Sequence, residues 1–109
     1  MQEVLRALAE PRRQEILQLI SSQELASGEI ARHFNVTRPA ISQHLQILKA
    51  AGLVHERREG TRHYYQARPE GLAELREYLD QFWDDALARL ARAAEAEQRR
   101  KDYDDRKQS

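Results

Sequence analysis

Apolar residues recur at helical spacing through the first half of this chain, lapse once into strand-like alternation, then return in a longer stripe. From Gln2 to Ala9 they place Val4, Leu5 and Leu8 on one face of a short helix. Glu10-Pro11 interrupts it, and Pro11 suits the first turn of a second helix whose Ile16, Leu17 and Ile20 are buried, ending near Ser21. Ser22 to Ala26 reads as a connection, with Leu25 a core contact. Ser27 is expected to cap a third helix carrying Ile30, Ala31 and Phe34, which stops at Asn35, a residue that tolerates left-handed backbone. Thr37 caps a fourth, with Pro39 in its first turn and Ala51-Gly52 at its end.

The period then changes. Leu53 to Arg58 and Arg62 to Ala67 flank Glu59-Gly60-Thr61, a hairpin signal with glycine at the turn. A lone hairpin is marginally stable, so Leu53, Val54, Tyr64 or Tyr65 should pack it onto the helices. From Pro69 the helical period resumes through Leu72, Leu75, Leu79, Phe82 or Trp83, Ala86, Leu87, Leu90 and Ala94. At about 1.5 Å per residue this stripe approaches 40 Å by Glu97, too long for so small a domain to cover, and a second copy of the helix is the expected cover. Two short helices joined by a tight turn, followed by a hairpin, make a winged helix-turn-helix. The expected fold is mainly α with a small β-hairpin, about five helices and a two-stranded wing, dimeric. It occupies residues 1–97, and residues 98–109 form a polar, disordered tail.

The fourth helix carries the candidate chemistry. Ile41, Leu45 and Leu48 share its buried face, while Pro39, Gln43 and Gln46 lie opposite with Ser42 and Ala40 at the flanks. Small and amide side chains facing outward suit insertion into a DNA major groove, where a glutamine can pair with adenine and an arginine with guanine or a phosphate. Taken singly, Arg38, Ser42, Gln43 and Gln46 are also ordinary solvated helix surface; the hairpin beside them favours DNA. Thr37 is a cap that can also donate to a phosphate, and His44 sits nearer the buried stripe, as a boundary residue. Arg57, Arg58 and Arg62 near the hairpin tip are placed to reach a phosphate backbone or a minor groove.

Charge supports this assignment once its distribution is considered. The 109 residues hold 18 Lys and Arg against 18 Asp and Glu, a net charge of zero. Yet Met1 to Pro69 holds 10 basic against 7 acidic residues, a balance of +3, and Glu70 to Ser109 holds 8 against 11, or −3. Within Ala31 to Pro69 the count is 7 to 2, and local potential matters more to a phosphate than net charge. There are no cysteines, which excludes disulfides and thiolate chemistry. No apolar run approaches a membrane span and no export signal opens the chain, so a soluble, cytoplasmic protein is expected.

Other readings are weaker. His33, His44, His55 and His63 are separated by 11, 11 and 8 residues, unlike the close pairs of structural zinc sites, so no metal or other cofactor is expected. Trp83, Phe82, Tyr78 and Leu79 could line a ligand pocket, but a dimer core accounts for the same stripe. Asp84-Asp85 reads as a solvated edge, because adjacent helical residues do not share a face. No nucleophile and base pair, phosphate-binding glycine loop or metal-hydrolase motif is present, so an enzyme is not expected. The alternative is a winged-helix protein-interaction module without specific DNA binding.

The ordered motifs resemble the ArsR/SmtB winged-helix transcriptional repressors over about Val4 to Trp83. Leu8-Ala9-Glu10-Pro11-Arg12-Arg13 with Ile16-Leu17 is similar to that family's opening helices, and Val36-Thr37-Arg38-Pro39-Ala40-Ile41-Ser42-Gln43-His44-Leu45 to its recognition helix. Ala51-Gly52-Leu53-Val54, Arg57, Gly60 and Tyr64-Tyr65 match the helix exit and wing. The resemblance implies a homodimer on a pseudo-palindromic operator in double-stranded DNA, acting as a repressor or autorepressor. Thr37, Arg38, Pro39, Ser42, Gln43, His44 and Gln46 would be its recognition residues, and Arg57, Arg58 and Arg62 its wing. Val4, Leu5, Leu8, Leu72, Leu75, Leu79, Phe82, Trp83, Leu87 and Leu90 would form its dimer interface. The family's metal sensors carry cysteines where this chain has Ala26-Ser27-Gly28, or Asp-x-His where it has Asp80-Gln81-Phe82, so the resemblance is to the metal-free branch.

Overall fold

Thr37 Oγ1 accepts the Ala40 amide at 3.3 Å, and Asn35 adopts the left-handed region at φ 54°, so the turn between the third and fourth helices closes as its residue types require. A computed structural model describes residues 1–108 as five helices and three strands. In order these are α1 (Gln2–Leu8), α2 (Pro11–Leu19), β1 (Leu25–Ala26), α3 (Ser27–Phe34), α4 (Arg38–Ala50), β2 (Val54–Glu59), β3 (Arg62–Ala67) and α5 (Pro69–Gln108). The chain divides into two units, Met1–Leu75 and one that begins at Arg76.

In the first unit the core is the meeting of α2, α3 and α4 beneath the sheet. Ile16, Ile20, Ile30, Ile41, Leu45, Leu48 and Leu53 are fully enclosed, and Val54 and Tyr65 anchor the hairpin to them. Each such side chain contributes about 1.5–3 kcal/mol relative to leaving it in water. The antiparallel sheet has the order β1-β3-β2, with Val54 opposite Ala67, Glu56 opposite Tyr65, and Arg58 opposite His63. Gly60, at φ 63°, forms the turn of the hairpin.

Gly52, at φ 78°, ends α4, and its carbonyl accepts from Arg68 at 3.0 Å. The start of α5 lies so close beneath this exit that a Cβ on Gly71 would overlap the Gly52 carbonyl oxygen. Only glycine permits that approach.

Two expectations are corrected here. Leu25-Ala26 is more than a connection: it adds a third strand, with Leu25 opposite Tyr65 and Ala26 opposite Tyr64. Ser27 is the first residue of α3 rather than its cap; the cap is Ala26, whose amide donates to Glu29 Oε1 at 3.4 Å. The strand pairing holds Leu25-Ala26 extended, so Ala26 serves as the non-helical cap and the helix starts one residue earlier than expected. Val4, Leu8 and Leu72, expected at the dimer interface, are half-buried against this unit's own core and keep part of their surface exposed.

In the second unit α5 continues as helix to Gln108, where a disordered tail was expected from Gln98; Ser109 lies outside the described residues. The segment contains no proline or glycine, and its charges pair along the helix. Arg99 reaches Glu95 at 3.7 Å, Arg100 reaches Glu97 at 3.6 Å, and Gln98 Nε2 donates to Asp102 at 3.2 Å. Exposed pairs at this spacing add about 0.2–0.5 kcal/mol each, which favours helix without an apolar face. Phe82, Trp83, Leu87 and Leu90, by contrast, are 50–64% exposed, a row of large apolar side chains open to solvent.

Candidate nucleic-acid interface

The side of α4 that turns away from the core divides into two surfaces. Ser42, Gln43, Gln46 and Ile47 form its outward face. Arg38, Ser42, Gln46 and Lys49 form one wall of a groove whose other wall is the hairpin, through Glu56, Arg58, His63 and Tyr65. Ser42 and Gln46 thus belong to both surfaces. The buried Ile41, Leu45 and Leu48 fix the helix rotation, which leaves the amides of Gln43 and Gln46 free for base edges.

Strand alternation decides which wing arginine belongs to this groove. Side chains at successive strand positions point to opposite faces. Glu56 and Arg58 face α4 along with buried Val54, and Arg57 faces away. Arg57 is further committed: its guanidinium meets Glu24 at 2.7 Å and Glu59 at 2.9 Å and lies 4.7 Å from the centre of the Tyr64 ring. The two carboxylates raise the guanidinium's already high pKa, and Arg57 in turn lowers that of Glu24. Of the three arginines assigned to the wing, then, Arg58 lines the groove, Arg62 stands at the hairpin tip, and Arg57 braces β2 against the segment before β1.

Glu56 brings an acid into this basic setting. Its carboxylate accepts from Lys49 Nζ at 3.1 Å and from His63 Nδ1, joining the last turn of α4 to both strands of the wing. Its pKa lies below the ordinary carboxylate value, chiefly through the His63 hydrogen bond; burial opposes this, and Lys49 lowers it further.

His44 does not join the outward residues. It is half-buried, and Arg13 NH1 of α2 donates to its Nδ1 at 3.4 Å. Arg13 is itself held by the carbonyl of Ala7 at 2.6 Å and that of Arg6 at 3.2 Å, so His44 connects α4 to the α1–α2 corner. Burial, then the Arg13 charge, depresses its pKa. The four histidines have separate surroundings, and among the described residues no group of three His, Asp or Glu side chains could hold a metal. Lys49, absent from the residues chosen by sequence, was legible in retrospect: Ser42, Gln46 and Lys49 follow helical spacing along one polar edge.

Comparison with known proteins adds to this geometry. The bacterial regulatory protein arsR family matches residues 10–56, the stretch from α2 to the middle of β2. The HTH-type transcriptional regulator Rv2034 of Mycobacterium tuberculosis is 48% identical over 91 residues, covering 84% of this chain and 85% of that protein. The chain belongs to the arsR family. The transcriptional repressor SdpR of Bacillus subtilis is 42% identical over 65 residues, 60% of this chain and 72% of that one. A solution NMR structure of a homodimeric winged helix-turn-helix DNA-binding domain from Mycobacterium bovis matches with a TM-score of 0.63 and 40% identity. It covers 76% of this chain and 77% of that one. This arsR-family chain is therefore a transcriptional regulator with a winged helix-turn-helix, and no helix among its described residues is long and apolar enough to cross a membrane.

Proposed function

We propose that this arsR-family chain is a homodimeric repressor that binds a pseudo-palindromic operator and blocks transcription by occupying promoter DNA. The observation that carries this reading is the groove shared by α4 and the wing: Ser42 and Gln46 open toward base edges, and Arg38 and Arg58 stand on opposite walls where two backbones would pass. The two copies would pair through the exposed apolar row of α5, with Leu79, Phe82, Trp83, Leu87 and Leu90 as the principal contacts and Leu5 as a further exposed residue of α1. Such pairing would set the recognition helices about 34 Å apart, one turn of duplex. The homodimeric neighbour from M. bovis and the repressor SdpR support the dimer and the sign of regulation. The reading assigns no catalysis and no cofactor, and it places the protein in the cytoplasm with the DNA.

Fluorescence anisotropy with the duplex upstream of its own gene tests the proposal. The expected result is binding at least a thousandfold tighter than to an unrelated duplex at physiological salt. Equal affinity for both would overturn sequence-specific repression and favour the protein-interaction alternative.

A further inference from the structure

Beside the groove described above lies a second basic recess, between the first turn of α3, the start of α4 and the hairpin turn. Gly28 lines it together with Arg32, Arg38 and Arg62. A Cβ at Gly28 would sit 3.6 Å from Arg38 Nε and 3.9 Å from Arg32 NH1, so the two guanidiniums converge over one glycine, their nitrogens at most 7.5 Å apart. Among the described residues neither guanidinium has a hydrogen bond, an ion pair or a ring contact. The one acid lining the recess, Glu29, accepts from the Ala26 amide. Arg38 therefore reaches over the first turn of α3 as well as lining the α4–wing groove. Like charges brought together without a counter-ion repel each other, and a shared anion relieves that repulsion with charge-assisted hydrogen bonds. The first-turn amides of α3 receive no side-chain cap and contribute positive potential to the same space.

We propose that Arg32 and Arg38 together hold one phosphate of the DNA backbone over Gly28, in each half-site. This rests on the DNA-binding reading and deepens it in two ways. Arg32, on the first helix of the helix-turn-helix, becomes a DNA ligand, and Arg38 becomes a backbone ligand rather than a base reader. A DNA phosphodiester suits the site better than a free anion, because the recess opens beside the α4–wing groove and shares Ser27, Arg38 and His63 with it.

The test is a set of operator duplexes, each with a single phosphate replaced by neutral methylphosphonate, titrated with wild type and Arg32→Ala. Arg32→Ala is expected to lose about tenfold affinity for operator and unrelated duplex alike, with the salt slope reduced by about one per protomer. One position per half-site should weaken wild type yet leave Arg32→Ala unaffected. A second variant, Gly28→Asp, puts a carboxylate in the first turn of α3, where the helix dipole favours it. It is expected to melt at the wild-type temperature and bind DNA at least tenfold more weakly. The inference fails if Arg32→Ala binds as wild type does, if its loss is confined to the operator, or if no neutralised phosphate masks it. Each of these leaves wild-type operator preference intact and so spares the repressor reading, whereas a wild type without that preference sinks both.

Discussion

Lys49 in the last turn of α4 reaches Glu56 of β2 at 3.1 Å, so the recognition helix and the wing are joined through a single carboxylate that also accepts from His63. A hairpin held only by its apolar base, Val54, Tyr65 and Ala67, would be free to swing at its tip. The Lys49–Glu56–His63 contact begins level with Tyr65 and extends one step farther along β3, tying the last turn of α4 to both strands. Glu56→Gln should therefore lower DNA affinity a few-fold although it removes a negative charge near DNA, an effect opposite in sign to simple electrostatics. Anisotropy at fixed salt measures it, and a tighter-binding variant would show the contact to be unimportant for wing placement.

The same carboxylate gives an acid-side pH dependence. Its folded-state pKa is depressed, so it contributes stability that is complete above its ordinary value of 4.5 and is lost as pH falls through the lower folded value. Melting temperatures of wild type and Glu56→Gln should converge as pH is lowered below about 4.5. His44 acts in a different window. Its pKa is depressed below 6.5 by burial and by Arg13, with Arg12 also lowering it and Glu10 opposing, so protonation disfavours the folded state as pH falls below 6.5. His44→Gln should flatten the melting profile between about pH 5 and 7 while leaving the more acid limb in place.

Arg57 and Arg58 are adjacent in sequence but occupy opposite faces of the wing. Arg58→Ala should weaken binding to all duplexes and reduce the salt slope by about one per protomer. Arg57→Ala should change affinity less than threefold and instead lower the melting temperature, because Glu24 and Glu59 lose their shared partner. If Arg57→Ala proved the more damaging to DNA binding, the assignment of faces would be wrong.

Gln43→Ala should relax sequence preference, narrowing the gap between operator and unrelated duplex by about 1–3 kcal/mol with little change in the salt slope. A competition assay over single-base operator variants would locate the base pair it reads. A uniform loss at every base pair would reassign Gln43 to the backbone.

Trp83→Glu places a charge in the middle of the apolar row of α5, where Trp83 is 58% exposed in the single chain. Light scattering should show a shift from dimer to monomer at micromolar concentration, with operator affinity falling toward the non-specific level. A variant that remains dimeric would move the interface elsewhere. Within the first unit, Gly71→Ala should cost about 1–3 kcal/mol of stability, because the new methyl group meets the Gly52 carbonyl at the α4 exit.

Local chemistry made most of the fold legible without coordinates. The helical spacing of Ile41, Leu45 and Leu48, the cap at Thr37, the left-handed Asn35 and Gly52, and the turn at Gly60 each act within a few residues, so the sequence alone determined the helix-turn-helix, its wing and the outward amides of Gln43 and Gln46. Helix pairing within α5 was underestimated because single i,i+3 and i,i+4 contacts are individually weak and matter only as a series. What the tertiary structure decided are relations between residues distant in the chain. Glu24 with Arg57 spans 33 positions and Arg13 with His44 spans 31, and β1 pairs with a strand about 40 residues away. No periodicity encodes such partners, since they depend on which surfaces the core brings together. That is why Arg57 is committed to Glu24 and Glu59 and His44 to Arg13, and why Glu56 and Lys49 emerge as the contact that joins the two walls of the groove.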